Sequence, residues 1–338
     1  MNPPSQTMVL FAPHPSNFCI LLRSIRQACT LYLQNTNLSH CCYIIEPICQ
    51  TLTANLVITH LHIACQGKSA MKKPHRLSTL LIAILSAYSG AVMSENLNFD
   101  DPMTTLDSAL WWKADGWSNG FPFLSRWEGE SVTFDASGMQ LHLVHDPIPE
   151  SHLAYRSGEI RTHGYYDYGC FEAEIKAINA PGVITSFFLF AGPYDTPPGG
   201  NGRHNEIDIE FLGHNTNLLQ VNYWTNDDNY QYSNERIIFL DFDASEDFHH
   251  YSIKWTADAI RWYIDRELVY MVHQNTTSPI PSATDSHLRI MANVWATDPA
   301  IANWAGHFDE ASQNNYHANY RNIRFTAGND CVLSPPAE

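Results

Sequence analysis

The chain has 338 residues, with 19 Lys and Arg against 35 Asp and Glu, a formal net charge of −16 at pH 7. A balance this acidic argues against nucleic acid and anionic membrane as partners, because both select basic surfaces, and it fits a neutral polymer. The cysteines are uneven, with six of the eight in the first 70 residues.

Residues 1–70 show no clean period, and the spacings of Cys19, Cys29, Cys41, Cys42, Cys49 and Cys65 match no zinc pattern. Residues 71–94 follow the grammar of a secretory signal: Lys72, Lys73 and Arg76, an apolar run over 77–87, then small residues with cleavage expected after Ser94. The run is short for a permanent membrane span, and no Cys follows it to carry a lipid. An export signal is read from an N-terminus. Translation is therefore expected to begin at Met71, with residues 1–70 a mis-assigned extension and a Cys-rich leader the alternative. The expected product is secreted or periplasmic, without a stable membrane anchor.

Removing residues 1–94 leaves 244 residues, 13 basic and 34 acidic, the size of one β-rich domain over 95–338. A monomer is expected. Only Cys170 and Cys331 remain. They can pair in an oxidising compartment, or Cys170 can be a small buried hydrophobe; both readings stay open.

Strand patterns then follow with almost no helical period. Segments 132–135 and 139–144 flank an Ala-Ser-Gly turn and read as a hairpin. Residues 168–178 alternate, 186–190 form a buried apolar strand, and further strands are predicted at 206–212, 219–224, 250–255, 260–264, 268–273, 288–294 and 316–325. So many short strands predict an all-β, two-sheet sandwich of jelly-roll type. Residues 192–205 form the longest irregular stretch, rich in Pro and Gly, and are expected to wall one rim of a cleft.

The strand after that loop carries Glu206, Asp208 and Glu210 on one face, with Ile207 and Ile209 on the other. Three like charges on one face repel, so at least one pKa must rise. Glycoside hydrolysis needs such a pair, one protonated acid and one ionised carboxylate. Residues four apart on a flat strand lie roughly 13 Å apart at ~3.3 Å per residue, so the strand must lie on the concave side of a bent sheet. A solvated acidic edge strand and a calcium site are the alternatives from these residues alone.

HNEIDIEFLG, residues 204–213, resembles the active-site strand of glycoside hydrolase family 16, in its unbulged Glu-x-Asp-x-Glu form. KADGWSNG at 113–120, YRS at 155–157, YGCFE at 168–172, FDASEDFH at 242–249 and MANVW at 291–295 extend the similarity, in order, to bacterial licheninases. The resemblance implies a concanavalin-like jelly roll with a concave substrate cleft and a β-glucan polysaccharide as substrate. It implies Glu206 as nucleophile, Asp208 as assisting acid and Glu210 as general acid/base. It places Asn119, Arg156, Asn222, Asn293, Trp295 and Trp304 on cleft-lining positions, and Trp224 where a substrate-facing Tyr stands. No cofactor is required, and a structural calcium ion on the convex face is compatible with the resemblance.

There are departures. His204-Asn205 replaces Trp-Asp and is similar to xyloglucan transferases; Ser125 and Leu153 lie near the positions of a missing cysteine pair. Ala154 stands for a substrate-binding Glu, Phe190 for a Tyr, and the loop before the motif is longer. Three functions are carried forward: a retaining endo-β-glucanase, a transglycosylase remodelling a β-glucan, and a non-catalytic carbohydrate-binding jelly roll.

Overall fold

The computed structural model describes residues 98–148, 153–328 and 331. The expected extension and export signal lie outside the described residues.

In chain order the strands are β1 (Phe99–Asp101), β2 (Trp111–Lys113), β3 (Ser125–Trp127), β4 (Val132–Asp135), β5 (Gly138–His145), β6 (Tyr155–Ser157), β7 (Glu159–Thr162), β8 (Gly169–Lys176) and β9 (Val183–Ala191). They continue as β10 (Asn205–Leu212), β11 (Leu218–Thr225), β12 (Arg236–Phe239), β13 (His249–Trp255), β14 (Ala259–Ile264), β15 (Glu267–His273), β16 (Arg289–Ala296) and β17 (Tyr316–Ala327). One sheet runs β12-β11-β10-β9-β16-β7-β2, and the other runs β15-β14-β13-β8-β17-β5-β6-β3 with β1 and β4 attached. This is the expected jelly-roll sandwich. All eleven predicted strands are present, with most ends within two residues of the expectation; β9 begins three residues earlier, and β8 is shorter than expected by one residue at its start and two at its end. The six unpredicted ones, β1, β2, β3, β6, β7 and β12, have only three or four residues, too few for a period to show.

Alternation explains the layering. Ile207, Ile209 and Phe211 of β10 join Phe187 and Leu189 of β9, and Phe171, Ala173 and Ile175 of β8, in one core between the sheets. β9 and β16 read as nearly continuous apolar runs because both of their faces are covered. A second apolar cluster, with Trp127, Ile184, Leu212, Leu218 and Trp295, lies on the far side of the seven-stranded sheet.

Two side chains of the opposite sheet reach across the core to the strands that carry the site. The Trp262 indole N–H donates to the Asp208 carbonyl at 3.1 Å, and the Tyr320 hydroxyl donates to the Ser186 carbonyl at 2.9 Å. Cys170 and Cys331 form a disulfide with a Cα–Cα distance of 5.2 Å, which decides the alternative left open above. Among the described residues no helix is long and apolar enough to cross a membrane.

The chain changes sheets at Gly158. Its N–H donates to His142 in the ten-stranded sheet, and its carbonyl accepts from Val294 in the seven-stranded one. A Cβ there would meet the Ser131 carbonyl oxygen at 2.5 Å, so only glycine fits the crossing.

Candidate active site

Residues directly paired across antiparallel strands share a face, so the register lays out the cleft floor in rows. One row is Trp224, Glu206, Phe190 and Arg289; the next is Asn222, Asp208, Phe188, Met291 and Arg161; a third is Gln220, Glu210, Ser186, Asn293 and Glu159. The three acids thus stand on β10 with strands paired on both sides, which removes the reading of a solvated edge strand.

Asp208 is 3 % exposed and its Oδ1 has no protein partner. Burial first, then the charges of Glu210 and Glu206, push its pKa well above the carboxylate range, against a backbone hydrogen bond from Asn222. For Glu210, burial and then the charges of Glu206 and Glu235 raise the pKa to about 8. Gln220 Nε2 donates to Glu210 Oε2 at 3.4 Å, and the Trp304 indole donates to Gln220 Oε1 at 2.9 Å, which fixes the amide with its NH₂ toward the acid.

Glu206 has a different neighbour. His204 Nε2 lies 2.7 Å from its Oε2, and the imidazole is 3 % exposed. Burial opposes a charge on the ring, but the hydrogen bond and charge of Glu206, with the carbonyl and charge of Asp227, outweigh it and raise the His204 pKa. Neighbouring carboxyls in unlike environments are the arrangement that divides acid from nucleophile. Among the described residues no group of three or more His, Cys, Asp and Glu side chains is arranged to hold a metal ion, the triplet included.

The cleft-lining expectations separate. Asn222 sits beside Asp208, and its Oδ1 accepts from the Asn234 N–H at 2.8 Å. Asn293 Nδ2 donates to Glu159 Oε2 at 3.0 Å, leaving a buried Oδ1 without a protein partner. Trp224 is half-buried beside Glu206, close to His204 and Tyr230. Trp304 is half-buried and tied to the Glu210 row. Trp295 is 6 % exposed beneath Phe123, with ring centroids 4.1 Å apart, so it is packed more than presented. Asn119 is exposed in the loop after β2, its Oδ1 accepting from the Trp127 indole at 2.9 Å.

Arg156 is not brought to the acids. It lies on β6 of the other sheet, bonded to Ser131 at 2.8 Å and paired with Glu130 and Asp146 at 3.3 and 3.5 Å. The reason is the crossing at Gly158: residues before it belong to one sheet and those after it to the other. Beyond the crossing, Glu159 and Arg161 face the cleft, bonded to each other at 2.6 Å. No local pattern marked this, because the face that Glu159 and Arg161 present is set by the change of sheet at Gly158. Arg161 lies against the Trp112 and Trp117 rings at 5.1 and 5.3 Å. Asp195, from the long loop, accepts from Arg161 at 3.2 Å, pairs with Arg289 at 2.7 Å and accepts from the Tyr165 hydroxyl. The loop is therefore a rim bound to the cleft floor.

The profile of the family described as Glycosyl hydrolases family 16 matches residues 120–321. A curated Paenibacillus polymyxa protein named beta-glucanase is 32% identical over 257 residues, 76% of this chain and 99% of its own length. A solved Bacillus licheniformis beta-glucanase superposes with a TM-score of 0.60 at 32% identity, covering 69% of this chain and all of that one. A prokaryotic beta-1,3-1,4-glucanase (lichenase) from a mouse hindgut metagenome gives 0.59 at 34% identity, covering 68% and 98%.

Proposed function

The chain belongs to glycosyl hydrolase family 16, and on that premise we propose a retaining, endo-acting β-glucanase that takes β-1,3-1,4-glucan or a related β-glucan. The observation that carries the reading is the division of labour on β10. Glu210 keeps its proton up to about pH 8, while Glu206, on the same face, is hydrogen-bonded to His204. The names of the matched glucanases support the substrate class.

The chemistry follows from those states. Glu206 as a carboxylate attacks the anomeric carbon, and the glycosidic C–O bond breaks as Glu210 protonates the departing sugar oxygen. Glu210, now ionised, takes a proton from water, the water oxygen attacks the same carbon, and Glu206 leaves as a carboxylate. Two inversions give net retention. Asp208 holds a proton between the two glutamates and keeps their charges from adding. Half-buried Trp224 and Trp304 offer ring faces to sugars, while Asn222, Asn293 and Arg161 offer hydrogen bonds.

Glu206→Gln is expected to bind β-glucan and release no reducing sugar from lichenan, laminarin, xyloglucan or carboxymethylcellulose. Full activity in that variant removes the assignment. A second reading, transfer to a sugar acceptor, rests on His204, which stands where the resemblance to xyloglucan transferases lies and contacts Glu206 at 2.7 Å. Products longer than the starting oligosaccharide, formed when free acceptors are added, would favour it. The Cys170–Cys331 disulfide supports export to an oxidising compartment.

A further inference from the structure

We infer that His204 is a positioning residue for the nucleophile, carrying the imidazolium that holds Glu206 by a hydrogen bond to Oε2 throughout turnover. The inference rests on the β-glucanase reading for the charge on Glu206 and for its kinetic consequence, while the hydrogen bond itself is read from the geometry.

The argument is a proton count. His204 Nδ1 lies 3.1 Å from the Asp227 carbonyl oxygen, which can only accept, so Nδ1 carries a hydrogen. The neutral ring would then present a bare Nε2 lone pair to Glu206 Oε2 at 2.7 Å. Two acceptors do not sit at that distance; a proton lies between them. Since the reaction requires Glu206 as a carboxylate, that proton belongs to His204.

The surroundings are built for a fixed ring. The Tyr230, Phe190 and Trp224 rings enclose it at 4.6, 5.4 and 6.1 Å, and the His204 backbone N–H donates to Asp228 Oδ1 at 2.8 Å. The charged and titratable groups facing it are Glu206, two residues along on β10, and Asp227, Asp228 and Tyr230 of the loop after β11. Arg203, the adjacent cation, is itself paired with Asp228 at 2.5 Å. The balance around the ring is anionic.

The hydrogen bond acts in both chemical steps. During attack it fixes which Glu206 oxygen is free: Oε2 is occupied, so Oε1 bonds to the anomeric carbon. In the glycosyl-enzyme Oε2 is the ester carbonyl oxygen, and the N–H polarises it. When water displaces the ester, the electron pair returns to Glu206, whose carboxylate is met by the same imidazolium. The proton stays on His204 throughout.

The test is histidine ¹⁵N NMR on the intact chain, with kinetics beside it. Both ring nitrogens of His204 are expected to be protonated at pH 6–7, and its titration should move to lower pH in Glu206→Gln, where the anion is gone. A neutral His204 at pH 6, or a titration unmoved in Glu206→Gln, overturns the inference. His204→Phe, which fills the aromatic box, should lower kcat about 10- to 100-fold with little change in KM, the scale of a charge-assisted hydrogen bond. His204→Gln, which keeps an N–H donor, should recover most of that loss. Unchanged kcat in His204→Phe overturns the kinetic claim. If the wild-type chain cleaves no β-glucan, the β-glucanase reading fails, and the NMR titrations still decide the pairing.

Discussion

Glu210 shows what three acids on one strand do to a single residue. Its pKa of about 8 comes from burial and from the charges of Glu206 and Glu235, so the proton needed by the leaving group is present at neutral pH. Activity is expected to fall as pH rises through about 8, and Glu210→Gln should lower kcat by about 10²–10⁴-fold on substrates with poor leaving groups. The same shift bears on stability. In the folded chain Glu210 keeps a proton that the unfolded chain has lost above about 4.5, so the folded state binds more protons between about 4.5 and 8. Stability therefore falls as pH rises through that window. Glu210→Gln removes the ionisation, and should stabilise the protein by roughly 0.5–2 kcal/mol at pH 9, with no gain at pH 4. Thermal melts of both proteins at the two pH values measure this; an equal gain at both would show that charge is not the cause.

At the scale of elements, the loop between β9 and β10 matters as much as the strand it precedes. Asp195 pairs with Arg161 of β7 and Arg289 of β16, both mostly buried, and Arg161 already faces Glu159. Asp195→Ala would strand Arg289 without its carboxylate, a change that costs about 3 kcal/mol in buried pairs. Arg161 would be freed to turn from the cleft floor, so KM should rise more than kcat falls. Melting and Michaelis kinetics on one glucan check both parts, and an unchanged KM would deny the loop a part in the site. The contrast with β10 shows what was legible in the sequence. Ile207 and Ile209 alternate with the acids, so the strand, its core face and its charged face could all be read locally. Arg161 could not, because its face depends on the sheet change at Gly158, a close approach to Ser131 that no period encodes. Asp195 was equally hidden, since its partners lie 34 and 94 positions away. His204 was visible as a departure, but its contact with Glu206 is a matter of side-chain direction. Trp295 had the residue type of a platform and is instead covered by Phe123.

At the scale of the whole molecule, the last strand is the structural keystone of the sheet opposite the cleft. β17 lies between β8 and β5 and also pairs with β1, so the ten-stranded sheet cannot close until the end of the chain is in place. The Cys170–Cys331 bond joins β8 to the segment just beyond β17, across 161 positions of sequence. A cross-link over so long a loop restricts the unfolded ensemble strongly, and removing native bonds of this kind typically costs about 2–4 kcal/mol. For a domain of this size each kcal/mol moves the Tm by about 2–4 °C, so Cys331→Ala should melt roughly 4–16 °C lower. The acids stand on the other sheet, so kcat well below the melting range should stay at the wild-type value. A reducing agent should lower the wild-type Tm by the same amount and leave Cys331→Ala unmoved. A variant that melts with the wild type would show that the strand register alone holds β17. A variant that melts lower and also loses kcat would show that the contacts of Trp262 and Tyr320 carry order in one sheet across the core to the acid strand.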